Sequence, residues 1–104
     1  MGIMKLFIKE IEGLLESIGY GIPKDSLEIP KPEMGDIALP CFVLSKKLKK
    51  NPAQIAIEIK EALEKEDSKM IERVQTAGPY LNIFLKTEYM ARILDMTIEE
   101  ITGK

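Results

Sequence analysis

Histidine is absent from the sequence. This absence excludes Ser-His and Cys-His nucleophile pairs, histidine general bases and the metal sites that take imidazole ligands. Cys41 is the one cysteine, so the chain can form neither an internal disulfide nor a zinc site built on several cysteines. Catalysis would have to depend on carboxylates, lysines or hydroxyls, and the spacing brings no two carboxylates together. The composition therefore favours a domain that binds over one that reacts, with no catalytic, cofactor or metal site.

Long apolar runs are also missing. No stretch approaches the roughly 20 residues that span a bilayer, so we expect no membrane contact. The N-terminal segment mixes acidic residues into its apolar spacing, which argues against a signal peptide and favours the cytoplasm. Hydrophobic residues make up 45% of the 104 residues and charged residues 31%, as in an ordinary globular protein. We expect one domain over residues 1–104.

Strong positive charge is a further absence. Fifteen basic residues stand against seventeen acidic ones, for a net charge of -2. Proteins that bind nucleic acid through non-specific phosphate attraction are usually strongly basic. If nucleic acid is the partner, contact must come from a local patch and from shape, and affinity for random polymer should be weak.

Apolar residues at three- and four-residue spacing predict amphipathic helices near both ends of the chain. Between them, Asn51-Pro52 predicts a helix start, with the asparagine as N-cap and the proline at the first helical position. Asp36 is predicted to cap an earlier helix that begins before Leu39, because Pro40 is tolerated only in a first turn. The last helix is predicted to begin near Thr87 and to bury Met90, Ile93, Leu94, Ile98 and Ile101.

Strands are predicted in three places. Leu27 and Ile29 alternate with Glu28 as on a short half-buried strand, and 70–75 and 80–85 form a hairpin around Gly78-Pro79. The odd separation of apolar residues in the first hairpin strand indicates a bulge. The order is roughly α-β-α-α-β-β-α. We predict an α+β fold of two layers, with helices packed on one face of a small, mainly antiparallel sheet.

The series of motifs resembles the N-terminal additional domain of arginyl-tRNA synthetases over essentially the whole chain. The residues that carry the resemblance are "EIPKPEMGDIALPCFVLSKKLKKNPAQIA" at 28–56 and "AGPYLNIFL" at 77–85. They contain the family's Gly-Asp-hydrophobic-Ala motif, its Lys-Asn-Pro helix restart and its Ala-Gly-Pro-aromatic-hydrophobic-Asn corner. No single tripeptide is specific, whereas the full series in order is hard to obtain by chance.

The resemblance implies a non-catalytic domain that binds arginine tRNA where the D-loop at its outer corner exposes a nucleotide. Tyr80 would stack on that base and Asn82 would hydrogen-bond to its edge. Lys46, Lys49 and Lys50 would contact phosphates. The family's histidine-bearing catalytic signature is absent, so we expect no enzyme in this chain alone. It would be the accessory domain of an arginine–tRNA ligase, with a synthetase catalytic chain as a possible partner.

Simpler interpretations remain for each residue. Tyr80 can pack over the edge of the core, Asn82 can cap the hairpin, and the lysines can form a solvated helix end favoured by the helix dipole. Cys41 is expected to be a small core residue. A free-standing protein-interaction module without RNA binding is the alternative function. A small enzyme that uses Asp36 or Glu33 is disfavoured, because no partner group is near either residue in sequence.

Overall fold

The computed structural model describes residues 2–95, 99–100 and 103. The helices and strands follow one another in the predicted order α-β-α-α-β-β-α, with one short 3-10 turn at Pro32–Met34 before the first strand. Their bounds are α1 Gly2–Ser17, β1 Ile37–Pro40, α2 Phe42–Leu48, α3 Pro52–Lys65, β2 Ile71–Ala77, β3 Tyr80–Leu85 and α4 Thr87–Leu94.

The three strands form one antiparallel sheet in the order β1-β3-β2. The central strand, β3, pairs with β2 through a tight hairpin and with β1 on its other edge. A register shift between Ile71 and Arg73 places the predicted bulge at the start of β2. These pairings confirm the α+β fold.

A continuous hydrophobic core lies between the inner face of this sheet and the helices. Alternate residues of β3 enter it, as do the apolar stripes of α1 and α3 and the ring of Tyr89 from α4, which packs against Phe7 with 5.7 Å between ring centroids. The fully buried large side chains come from both layers: Phe7, Ile11, Leu15, Ile37, Leu39, Leu44, Ile55, Ile59, Leu81 and Ile83. The helices therefore pack on one face of the sheet, and the opposite face is not part of this core.

A predicted helix cap and a glycine position are each explained by local geometry. The side chain of Asn51 accepts a hydrogen bond of 2.8 Å from the Ala53 N–H, so it caps α3 as expected. Gly35 has a φ of 122°, and a Cβ built on it would lie 3.0 Å from the Ile83 carbonyl oxygen. The position requires glycine because a side chain would press on the backbone of the central strand.

The prediction for Asp36 is wrong. The residues after it form strand β1 rather than the first turn of a helix, and α2 begins only at Phe42. The Asp36 carboxylate instead accepts a hydrogen bond of 2.7 Å from the Leu85 N–H, which ties the start of β1 to the end of β3. Residues 37–40 are all buried, so their apolar run is compatible with either a buried helix turn or a buried strand, and pairing with β3 decides between them.

The first predicted strand and part of the last helix also differ. The segment around Glu28 forms a single bridge to Ala38 rather than a strand. In α4, Met90 and Leu94 pack against the core as predicted, whereas Ile93 is 42% exposed and the prediction for it is wrong. Tyr89 lies one helical turn before Ile93 on the same side of α4, and its side chain is the one from that side that is buried in the core. The predictions for Ile98 and Ile101 lie outside the described residues.

Candidate nucleic-acid interface

The hairpin corner is joined to the start of α2 by a backbone hydrogen bond. Gly78 takes a φ of 58°, as the first central residue of a two-residue primed turn requires, and Pro79 follows it. The Pro79 carbonyl accepts a hydrogen bond of 2.9 Å from the Cys41 N–H, immediately before α2. The corner and the first turn of α2 are therefore held side by side.

Tyr80 and Asn82 both lie on the outer face of the sheet, opposite to the core residues of β3. Tyr80 stands at the corner and is 39% exposed. Asn82 is one pleat repeat further along, and its pairing partners are Ala38 of β1 and Gln75 of β2. Because Ala38 also bridges to Glu28, a row of four residues crosses the outer face at the level of Asn82. The two predicted base-contacting residues are thus neighbours, as alternation along a strand implies.

Asn82 is more enclosed than an ordinary outward-facing residue, with only 4% of its surface exposed. No hydrogen bond to its side-chain amide is formed within the part of the chain that the structure describes. The amide atoms are not among the fully buried polar atoms that lack a partner, so they keep contact with solvent. The amide does not cap the hairpin, so its donors and acceptor are available to a ligand.

A second aromatic residue, Phe42, stands beside Tyr80 and was not predicted as part of the site. It is 53% exposed, and its ring lies edge-to-face against Tyr80, with 6.0 Å between centroids and an interplanar angle of 84°. The sequence does contain a weak signal for it. Phe42 falls off the line of Cys41, Leu44 and Leu48 that α2 turns to the core, so a large apolar residue is left on an outer face.

The ring of Phe84, the remaining aromatic residue of the outer face, is already covered by another side chain of the protein. The Arg73 guanidinium of β2 lies 3.9 Å from the centroid of its ring. This cation–π contact covers the ring from within the protein. Phe42 and Tyr80 are therefore the aromatic pair of this face that stays open to a ligand.

The lysines of α2 divide between two directions. At 3.6 residues per turn, Phe42 and Lys46 lie about 40° apart around the helix, so a cation follows the exposed ring along one side. Lys49 follows the end of α2 as its C-cap residue, with a φ of 54°. Lys47 lies about 100° further around the helix, and both Lys46 and Lys47 border a groove with Ile22. The open aromatic pair is thus continuous with positive charge from Lys46 and Lys49.

Lys50 turns toward α3. Its ammonium group lies 2.8 Å from a carboxylate oxygen of Glu58, and this hydrogen bond raises the pKa of Lys50 and lowers the pKa of Glu58. Both side chains reach solvent, so the pair is a weak one. Of the three lysines predicted to contact phosphate, Lys50 is the one already engaged within the protein.

Reactive groups are scarce around this surface. Burial raises the pKa of Cys41 to about 11, so its thiol stays protonated and inert, as expected of a core residue. The Asp36 carboxylate is engaged by the Leu85 N–H. Among the described residues, no cluster of acidic residues and cysteine is arranged to hold a metal ion, and no helix has the length and apolar character to cross a membrane. The surface offers stacking, an amide and cations.

Comparison with known proteins agrees with this architecture. The family model described as "Arginyl tRNA synthetase N terminal domain" matches residues 3–85. An arginine–tRNA ligase of Clostridium perfringens is 47% identical over 72 residues, which cover 68% of this chain and 12% of the relative. One from Clostridium kluyveri is 42% identical over 94 residues, covering 90% of this chain and 14% of the relative.

A solved structure shares the fold as well. The arginyl-tRNA synthetase of Thermus thermophilus matches with a TM-score of 0.60 and 32% identity, over 86% of this chain and 15% of that chain. The chain thus spans about one seventh of the length of the ligases that it matches. The family match and the ligase relatives together make the chain a member of the arginyl-tRNA synthetase N-terminal domain family.

Proposed function

We propose that this domain binds arginine tRNA at its outer corner, where the D-loop exposes a nucleotide. The exposed base stacks on Tyr80, and the Asn82 amide hydrogen-bonds to the edge of that base. The observation that carries this proposal is that the Asn82 amide, which keeps contact with solvent and forms no hydrogen bond among the described residues, lies on the same face as the exposed Tyr80 ring. A base edge would supply the missing partner while the neighbouring ring supplies the stacking surface.

Charge supports the same function at a modest affinity. Lys46, on α2, and Lys49, at the C-terminal end of that helix, can contact the phosphates on either side of an extruded base. Because the net charge is -2, non-specific phosphate attraction is weak and shape and stacking must supply the selectivity. In this role the domain contributes binding, while chemistry on the tRNA belongs to the remainder of the ligases to which it is related.

A titration with an arginine tRNA transcript tests the proposal. Tyr80→Ala is expected to weaken binding by about 1–3 kcal/mol, the range measured for loss of one base stack. Ile57→Ala is the matched control, since Ile57 is an exposed apolar residue on α3. A second transcript with the exposed D-loop nucleotide removed should bind wild-type protein as weakly as the first transcript binds Tyr80→Ala.

Two results would contradict the proposal. One is a Tyr80→Ala affinity equal to that of the wild type. The other is equal affinity for the two transcripts, which would mean that the exposed nucleotide is not read. Absence of any tRNA-induced shift in melting temperature would favour the protein-interaction module instead.

A further inference from the structure

The rings of Phe42 and Tyr80 stand almost at right angles and both reach solvent. Their centroids are 6.0 Å apart and their planes meet at 84°. Two perpendicular rings form a corner in which a flat ligand that stacks on one ring meets the other with its edge. Both edge-to-face and stacked arrangements are favourable for aromatic groups, so such a corner contacts one nucleobase twice.

Core packing does not account for Phe42. The buried stripe of α2 is formed by Leu44 and its helical neighbours on the opposite side of the helix, and 53% of the Phe42 side chain is exposed. A single exposed apolar residue is ordinary, whereas Phe42 and Tyr80 together form a contiguous exposed aromatic patch, and such patches mark binding sites. A neighbouring nucleic-acid surface would remove that exposure.

We propose that Phe42 is a second base-contacting residue, which holds the edge of the nucleobase that stacks on Tyr80. This proposal rests on the tRNA-binding function proposed above and adds a contact on a different element, α2. The occupant is a nucleobase because the corner is bordered on one side by the unpaired amide of Asn82 and on the other by the cations of Lys46 and Lys49. Aromatic rings between hydrogen-bonding groups and phosphate-binding charge form the arrangement that single-stranded RNA requires.

The corner is preformed. The Cys41 N–H donates to the Pro79 carbonyl at 2.9 Å, so the residue before Phe42 is bonded to the residue before Tyr80. The backbones that carry the two rings are therefore fixed relative to each other before any ligand arrives. Preorganisation of this kind lowers the entropy lost on binding.

Affinity measurements give the first test. Phe42→Ala is expected to weaken binding of the arginine tRNA transcript about 2- to 12-fold, the range that an edge-to-face aromatic contact represents. Val43→Ala is the matched control, because Val43 is the next residue of α2, is exposed and lies on a different side of the helix. In a Tyr80→Ala background the Phe42→Ala effect should largely disappear, since the two rings act on one base.

Fluorescence gives a second test that does not depend on loss of binding. The chain contains no tryptophan, so Phe42→Trp introduces a single emitter into the corner. Stacking or edge contact with a base should quench its emission as the transcript is added, with near wild-type affinity. Ile57→Trp, on the exposed face of α3, should show no quenching.

The outcomes separate the two proposals. If Tyr80→Ala weakens binding while Phe42→Ala does not and the Phe42→Trp emission stays constant at saturation, the role of Phe42 is overturned and the tRNA-binding function stands. If wild-type protein does not bind the transcript, both are overturned. Quenching together with a Phe42→Ala loss that Val43→Ala does not share supports the second contact.

Discussion

Strand β3 divides its residues between two surfaces with opposite requirements. On the inner face, Leu81 and Ile83 are fully buried among the helices and their contribution is to stability. On the outer face, Tyr80 is partly exposed and Asn82 is enclosed without a hydrogen-bond partner among the described residues. One short strand thus provides core anchors and a binding surface at alternate positions. The difference teaches that apolar side chains at alternate positions anchor the strand, while the outer positions are free to carry groups that a ligand can contact.

The inner face should show the largest loss of stability. Ile83→Ala is expected to lower the free energy of unfolding by about 2–5 kcal/mol, because it removes a buried side chain from the centre of the sheet. Urea unfolding followed by circular dichroism measures this. Ile57→Ala, on an exposed helix face, should change the free energy by less than about 0.5 kcal/mol. Equal effects of the two substitutions would remove the distinction between the surfaces.

The connection at the edge of β3 should have an intermediate effect. Asp36→Ala leaves the Leu85 N–H without its acceptor, and we expect a loss of about 1–3 kcal/mol in the free energy of unfolding. Asp36→Asn retains an oxygen acceptor and should recover most of that loss. If Asp36→Ala unfolds at the wild-type urea concentration, the bond seen between β1 and β3 contributes nothing to stability.

The outer face should respond in the opposite direction. Asn82→Val is expected to leave the free energy of unfolding unchanged or to raise it by about 0.5–1 kcal/mol, since a β-branched residue suits a central strand and the amide has no partner to lose. The same variant should lose affinity for the arginine tRNA transcript. A stability loss of more than about 1 kcal/mol, on the scale of a lost hydrogen bond, would show that the amide is structural.

The ion pair between α2 and α3 should give the smallest effect. The pKa of Glu58 is lowered from its ordinary value of 4.5, so its contribution is present above that pH and is lost as the pH falls through the lowered pKa. The pKa of Lys50 is raised from 10.5, so its contribution is complete below that pH and is lost as the pH rises through the raised pKa.

Lys50→Met should therefore reduce the melting temperature slightly at neutral pH. The difference from wild type should vanish in strongly acidic solution, where Glu58 is protonated in both proteins. Thermal scans at several pH values measure this. A difference that persists at acidic pH would assign the effect of Lys50 to packing rather than to charge.

Local signals were sufficient for several elements. Asn51 and Pro52 begin α3 as predicted, because an N-cap and a proline at the first helical position act on the backbone within one turn. Gly78 occupies the turn that needs a positive φ. The alternation along 80–85 correctly separates core residues from outer-face residues, since side chains of a strand point to opposite faces whatever packs on them.

Other features depended on contacts between distant segments. The residues after Asp36 form β1 because they pair with the edge of β3. An apolar run of four residues does not predict that this edge is available for pairing. Phe42 lies beside Tyr80 because the Cys41 N–H donates a hydrogen bond to the Pro79 carbonyl. These two residues are far apart in the chain. The enclosure of Asn82 likewise requires strands on both sides of β3.

The sequence by itself determined the order of the helices, the Asn51 cap, the hairpin and the outward placement of Tyr80 and Asn82, because propensity and periodicity act over one or two turns of chain. Only the tertiary structure decided the strand at Ile37–Pro40, the partner of Asp36 and the aromatic corner with Phe42. These depend on which distant backbone groups meet, and a hydrogen bond between segments follows from the packing of the whole core rather than from any local run of residues.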